Sequence, residues 1–104
     1  MPYLALRGVR VIEAADGIAG PFCAKLLADY GAEVIKIERP GSGDPTRRHN
    51  TFSKDAPHLE RSNLFLHLNA NKKSVTLDLE SGQARDVFKK LVEKNHILIE
   101  NQPP

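Results

Sequence analysis

The chain has one cysteine, one methionine, no tryptophan and few aromatic residues of any kind. With a single cysteine no disulfide can close within the chain, so burial and hydrogen bonding must hold the fold. Cys23 itself reads as a small buried hydrophobe in a reducing compartment. No apolar run approaches the ~20 residues that cross a bilayer. The N-terminus also lacks the basic flank and apolar stretch of a secretion signal. Together these absences set the expectation of a soluble, cytoplasmic protein with no membrane partner. Charge of one sign is not concentrated anywhere: 15 Lys and Arg stand against 13 Asp and Glu, spread along the sequence. The densest basic spots, Arg47 with Arg48 and Lys72 with Lys73, are only pairs. They read as solvated loop positions and not as the stripe a nucleic acid requires. Four histidines, His49, His58, His67 and His96, show no ligand spacing, so no metal site is expected. At 104 residues there is room for one modest domain.

What the chain does carry is a strand, a glycine-bearing turn, a helix and a second strand between Gly8 and Asp44, the layout of half of a nucleotide-binding α/β fold. Val9 to Ala14 is the first strand, with Val9, Val11 and Ile12 as its apolar run. Asp16 to Gly20 makes the turn, where Gly17 and Gly20 let the backbone bend and approach a ligand. Pro21 suits a first helical position. Ala19, Phe22, Cys23, Leu26, Leu27 and Tyr30 fall on one helical stripe, which predicts the buried face, and Gly31 supplies a left-handed stop. Val34, Ile35 and Ile37 form the second strand, ending at Glu38 and Arg39.

From residue 40 to residue 61, Gly, Ser, Pro, Asp and Arg crowd together with almost no periodicity, which predicts a long functional or mobile loop. Ser62 to Leu68 is a short amphipathic piece with Ser62 as its cap. Ser74 to Leu79 reads as the third strand. The helix from about Ser81 to Lys94 is the most periodic element, with Ala84, Val87, Phe88, Leu91 and Val92 on one face. Ile97 to Glu100 is the fourth strand. This order predicts a Rossmann-like, doubly wound parallel sheet of about four strands, a partial α/β domain.

In such a sheet the loops leaving the strands' carboxyl ends share one edge, the usual binding edge. Arg39 is the most telling residue there. An acidic residue after the second strand of a dinucleotide fold binds ribose hydroxyls, and a nearby arginine accommodates an added phosphate. Glu38 and Arg39 occupy that place, which points to a phosphorylated ribose. The residues alone do not choose between coenzyme A and NADP. Asn101 could donate and accept to an adenine or a pantetheine amide, or simply make a turn before the prolines. Asp16, Asp44 and Asp78 near the edge read as solvated or capping groups.

The segments "AGPFCAKLLADYGAEVIKIERPGSGDPTR", "NANKKSVTLDL" and "ILIEN" closely resemble, in the same order, the N-terminal part of class III coenzyme A transferases. That group includes formyl-CoA transferase, carnitine CoA-transferase and the related α-methylacyl-CoA racemases. The resemblance covers nearly the whole of residues 1–104, read as the N-terminal part of a CoA-binding domain. It implies coenzyme A as the ligand, an acyl-CoA and a carboxylic acid as substrates, and no metal. Carried over by position, it implies cofactor contacts at Ile18 and Ala19, at Arg39, at Leu77, Asp78, Leu79 and Glu80, and at Asn101, Gln102 and Pro103. Ile18 stands where a glutamine is common in the family it resembles, Glu80 where some relatives carry lysine, and Gln102 where an aromatic residue is common.

The resemblance also implies a chemistry in which an aspartate attacks the thioester and enzyme-bound anhydrides pass CoA to a second acid. That aspartate lies downstream of every matched residue, so the expectation is no catalytic residue in this chain and little activity alone. A homo-oligomer of the interlocked kind, or a C-terminal partner chain, is implied for the complete protein. A racemase-type isomerase and an NADP-type nucleotide-binding module remain the alternative readings.

Overall fold

A computed structural model describes residues 4–48 and 62–101. In chain order these residues form β1 (Arg10–Ala14), α1 (Ala19–Asp29), β2 (Glu33–Glu38), a 3-10 turn (Pro45–Arg48), α2 (Asn63–Leu68), β3 (Lys73–Thr76), α3 (Gly82–Glu93) and β4 (Ile97–Glu100). The strands make one parallel sheet in the order β3-β2-β1-β4. This is the α/β, doubly wound arrangement expected, since parallel neighbours require helical crossovers and the sequence supplies them.

The register decides what is buried. Val11 pairs with Val34 and Ile97, and two residues further along Glu13 pairs with Lys36 and Ile99. Because side chains alternate, these residues share one sheet face, and Ile12, Ala14, Ile35 and Ile37 share the other. The first face packs on α1 through a core of Val11, Val34, Ala24, Ala28 and Ala32, flanked by Leu6, Val9, Leu27 and Ile99.

That core corrects the helix stripe read from the sequence. The buried residues of α1 are Pro21, Ala24 and Ala28, whereas Phe22, Cys23 and Leu26 are exposed, as is Tyr30 just beyond the helix. Small residues face the sheet because the helix lies close to it. A Cβ built on Gly20 would come within 2.6 Å of the Ala15 Cβ, so Gly20 serves helix–strand approach. The helix also starts at Ala19, two residues before Pro21. Proline fits there because the first four N–H groups of a helix have no intrahelical partner, so its missing N–H loses no helical bond. At the far end Gly31 adopts φ +108, and the Leu6 N–H bonds the Tyr30 carbonyl at 2.8 Å, closing the N-terminal segment over the helix end.

The short helix α2 is built as the sequence indicates: Ser62 accepts the Phe65 N–H, and Phe65 and Leu68 are buried. The long loop is more ordered than expected over Pro45–Arg48, where Thr46 is buried, while residues 49–61 lie outside the described part. β3 ends at Thr76, earlier than the predicted Leu79. The apolar face of α3 is present, yet the helix buries no residue.

Candidate functional site

The residues that follow the strands shape a cleft of about 460 Å³ at the carboxyl edge. β1 contributes Ala14 and Asp16; β2 and its loop contribute Ile37, Glu38, Arg39, Pro40 and Ser42; the turn after β3 contributes Leu77 to Glu80. The Leu77 N–H bonds the Glu38 carbonyl at 3.0 Å and carries the pairing one residue past β3. The Asp78 carboxylate then accepts the Glu80 N–H at 3.1 Å, an Asx turn that fixes the cleft's third wall. Pro40 to Gly43 form a tight turn, with the Gly43 N–H bonded to the Arg39 carbonyl at 3.0 Å and the Arg48 guanidinium bracing the Ser42 carbonyl at 2.8 Å.

Arg39 stands at the mouth, 69% exposed, with Nη2 3.7 Å from Asp16 Oδ2. Burial and the neighbouring charge of Asp44 push the Asp16 carboxyl above its ordinary value, against the opposing pull of Arg39 and Lys36. Besides Arg39 the cleft lining carries Asp16, Asp78 and Glu80, and among the described residues the cation paired with any of these three carboxylates is Arg39 itself, beside Asp16.

Glu38 lines the cleft but is committed elsewhere, which corrects its reading as a ribose acceptor. The Arg47 guanidinium donates to both of its oxygens at 2.9 Å, Ser74 Oγ donates at 2.5 Å and the Asp44 N–H at 2.9 Å. Burial alone would raise its pKa; these donors, Arg47 first among them, overcome that and hold it at about 2. Arg47 also lies over the Phe65 ring, 3.8 Å from its centroid.

Beneath the cleft lies a second cluster that sequence reasoning missed. Lys36 Nζ contacts Glu13 Oε2 at 2.5 Å, Asp44 Oδ2 at 2.8 Å and the Ala15 carbonyl at 3.0 Å. Lys72 Nζ reaches Glu13 Oε1 at 2.6 Å, the Pro21 carbonyl at 2.9 Å and Asn69 Oδ1 at 2.7 Å. The Lys36 and Lys72 side chains are 1% and 2% exposed, so Lys72 and Arg47 are not solvated loop residues; Lys73 and Arg48 are exposed as expected. Asp44 is not a solvated group either: it is buried and accepts from both the Thr46 N–H and hydroxyl. Burial works against the charge of Lys36, but Glu13 and Asp44 together hold its ammonium above the ordinary lysine value. For Lys72 burial wins and lowers it. Two carboxylates and two ammoniums thus balance within the sheet face, joining β1, β2, the turn before β3 and the loop after β2. One signal was available: Glu13 and Lys36 interrupt apolar strands two residues after Val11 and Val34, which makes them cross-strand neighbours of opposite charge.

Of the residues carried over from the resemblance, Arg39, Leu77, Asp78, Leu79 and Glu80 come together in the cleft. Ile18 and Ala19 sit exposed at the start of α1 and do not line it. Asn101 spans the gap between β4 and the first turn: its Oδ1 accepts the Asp16 N–H at 3.2 Å and its Nδ2 donates to the Asp16 carbonyl at 2.7 Å. Its amide therefore serves as a tie at the point where strand order reverses. Gln102 and Pro103 lie outside the described residues. Among the described residues no group of His, Cys, Asp and Glu gathers as metal ligands, and no helix is long and apolar enough to cross a membrane.

A parallel sheet of order 3-2-1-4 with a cleft at its carboxyl edge defines a Rossmann-like α/β class of fold. Residues 6–104 match the model of CoA-transferase family III, and the chain belongs to that family. It is 43% identical over 100 residues to a formyl-CoA:oxalate CoA-transferase of Bradyrhizobium sp. (strain ORS 278), covering 96% of this chain and 23% of the relative. It is 46% identical over 101 residues to the succinyl-CoA–L-malate CoA-transferase alpha subunit of Chloroflexus aurantiacus, covering 97% and 23%. Among solved structures, a CAIB/BAIF family protein from Brucella suis aligns with TM-score 0.81 at 34% identity, over 96% of this chain and 26% of that one. The Rv3272 protein of M. tuberculosis aligns with TM-score 0.80 at 35% identity, over 94% and 26%. The chain thus spans about a quarter of the length of the proteins it matches.

Proposed function

We propose that this chain is the CoA-binding N-terminal segment of a class III acyl-CoA:carboxylate CoA-transferase and that its cleft receives the nucleotide end of coenzyme A. The observation that carries the reading is Arg39, an exposed guanidinium at the mouth of a cleft formed by the strand ends, in a chain whose relatives are named as CoA-transferases. The lining suits one phosphate at Arg39, with hydroxyl and amine donors of the ligand facing Asp78 and Glu80. The names of the relatives favour transferase over racemase-type chemistry.

The complete protein, in this reading, transfers CoA from an acyl-CoA to a carboxylic acid in the cytoplasm. The chain acts there as part of a larger homo-oligomer or with a partner chain, and the attacking carboxylate comes from outside residues 1–104. Calorimetric titration of the chain with CoA and with NADP tests it. CoA binds in preference, and Arg39→Gln weakens CoA by about tenfold or more, the effect of one charge-assisted contact. Equal or tighter binding of NADP, or binding of neither, overturns the reading.

A further inference from the structure

Asp16 is the one acidic side chain near the ends of β1 and β2 whose charge is poorly answered. Glu13, Glu38 and Asp44 each have a lysine or arginine nitrogen within 2.9 Å. Among the described residues the cation paired with Asp16 is Arg39, at 3.7 Å, beyond the length of a formed hydrogen bond. Asn101 holds both the N–H and the carbonyl of Asp16, which fixes the backbone from which the carboxylate projects. The side chain lines the cleft beside the guanidinium that would meet an entering anion.

We propose that Asp16 is a built-in competitor for Arg39, an intramolecular anion that an incoming phosphate must displace, so that the nucleotide is held less tightly than Arg39 alone would hold it. The inference rests on the reading of the cleft as the CoA site and adds to it a device that sets affinity. When a phosphate takes the guanidinium, Asp16 loses its counter-ion and is left beside a second anion in a partly buried position. Both changes oppose binding, and both speed dissociation. Asn101 anchors the backbone of Asp16 at the mouth.

The test is a double-mutant cycle on the chain, read by calorimetry and by stopped-flow dissociation of CoA. Asp16→Asn keeps the shape of the side chain and should bind CoA roughly threefold to tenfold more tightly, with slower dissociation and a smaller gain at high salt. In the Arg39→Gln background the same substitution should give a clearly smaller gain, because only the repulsion is left to relieve and there is no guanidinium to compete for. Asp16→Ser, with circular dichroism to verify the fold, should act in the same direction as Asp16→Asn. Unchanged or weaker CoA binding by both variants overturns the proposal while leaving the CoA site intact. A gain of equal size without Arg39 also overturns it, since the effect would then be repulsion alone. Failure of wild type and variants alike to bind CoA removes the site reading, and this inference with it.

Discussion

Lys36→Met offers the sharpest test of how the sheet edge is held. The ammonium sits between Glu13 and Asp44, at 2.5 and 2.8 Å, with its side chain 1% exposed. Methionine matches the length of the stem and removes the charge and its donated bonds, that to the Ala15 carbonyl included, leaving two buried carboxylates to share Lys72. Removing one partner of a buried ion pair costs about 3–5 kcal/mol, because the remaining charge stays desolvated without its counter-ion. A domain of this size has about 5–15 kcal/mol in all. With a urea dependence of about 1.5 kcal/mol per molar, the midpoint should fall by roughly 2–3 M. Far-UV circular dichroism during urea titration reads this directly, and Lys73→Met, at an exposed lysine one strand away, is the control that should move it by less than about 0.3 M. The double variant Glu13→Gln, Lys36→Met should lose less than the two single losses added together, since it removes opposite charges at once. A midpoint change below about 0.5 M for Lys36→Met would refute the assignment of this cluster as a tightly coupled structural unit.

Three other outcomes follow from the same geometry. Glu38 is held at a pKa of about 2 against an ordinary 4.5, so its stabilisation is present above pH 4.5 and is lost as pH falls towards 2; the worth is about 3 kcal/mol. Glu38→Gln should flatten the acid limb of stability in that window, and an unchanged limb in pH-dependent urea titrations would count against the Arg47–Ser74–Asp44 arrangement. On α1, Leu26→Ala should cost under about 1 kcal/mol in this chain because Leu26 is 43% exposed, whereas Ala24→Leu should cost about 1–3 kcal/mol by overpacking a fully buried site. Thermal melts that reversed this order would restore the larger stripe as the packing face. Gly31→Ala should destabilise by about 1–3 kcal/mol, because φ is +108 and the added Cβ would meet the Leu4 Cβ at 2.6 Å; an unchanged melting temperature would refute the left-handed stop.

The succession of elements and the type of crossover were legible because they depend on period and punctuation, which single residues state plainly. "EVIKIE" is a strand whichever face it buries, and Gly31 ends α1 whatever packs there. Which face is buried was harder to read. The stripe of Phe22, Leu26 and Tyr30 is the more hydrophobic, so periodicity alone selects it. The sheet takes Ala24 and Ala28 instead, because Gly20 and the alanines allow a close approach that large side chains would prevent. Periodicity reports that a face is apolar and says nothing about the distance at which its neighbour will sit.

The site was legible to the same degree and for a related reason. Position along a strand locates Arg39 at the edge, and the turn after β3 puts Leu77 to Glu80 beside it, so the cleft's membership follows from topology. The partner of each charge does not. Glu38 and Arg39 are adjacent in sequence, yet alternation sends Glu38 inward, where Arg47 and Ser74 take both of its oxygens, and leaves Arg39 facing out. Lys72 and Lys73 divide in the same way: Lys72 turns under α1 to Glu13, and Lys73 reaches only the exposed Glu33 at 3.2 Å. In each adjacent pair one residue builds the platform and the other faces solvent. The inward member is set by a residue far away in the chain, Arg47 for Glu38 and Glu13 for Lys72. Composition counts these charges as equivalent, but the register of a parallel sheet separates the ones that hold the edge together from Arg39, left exposed at the mouth of the cleft.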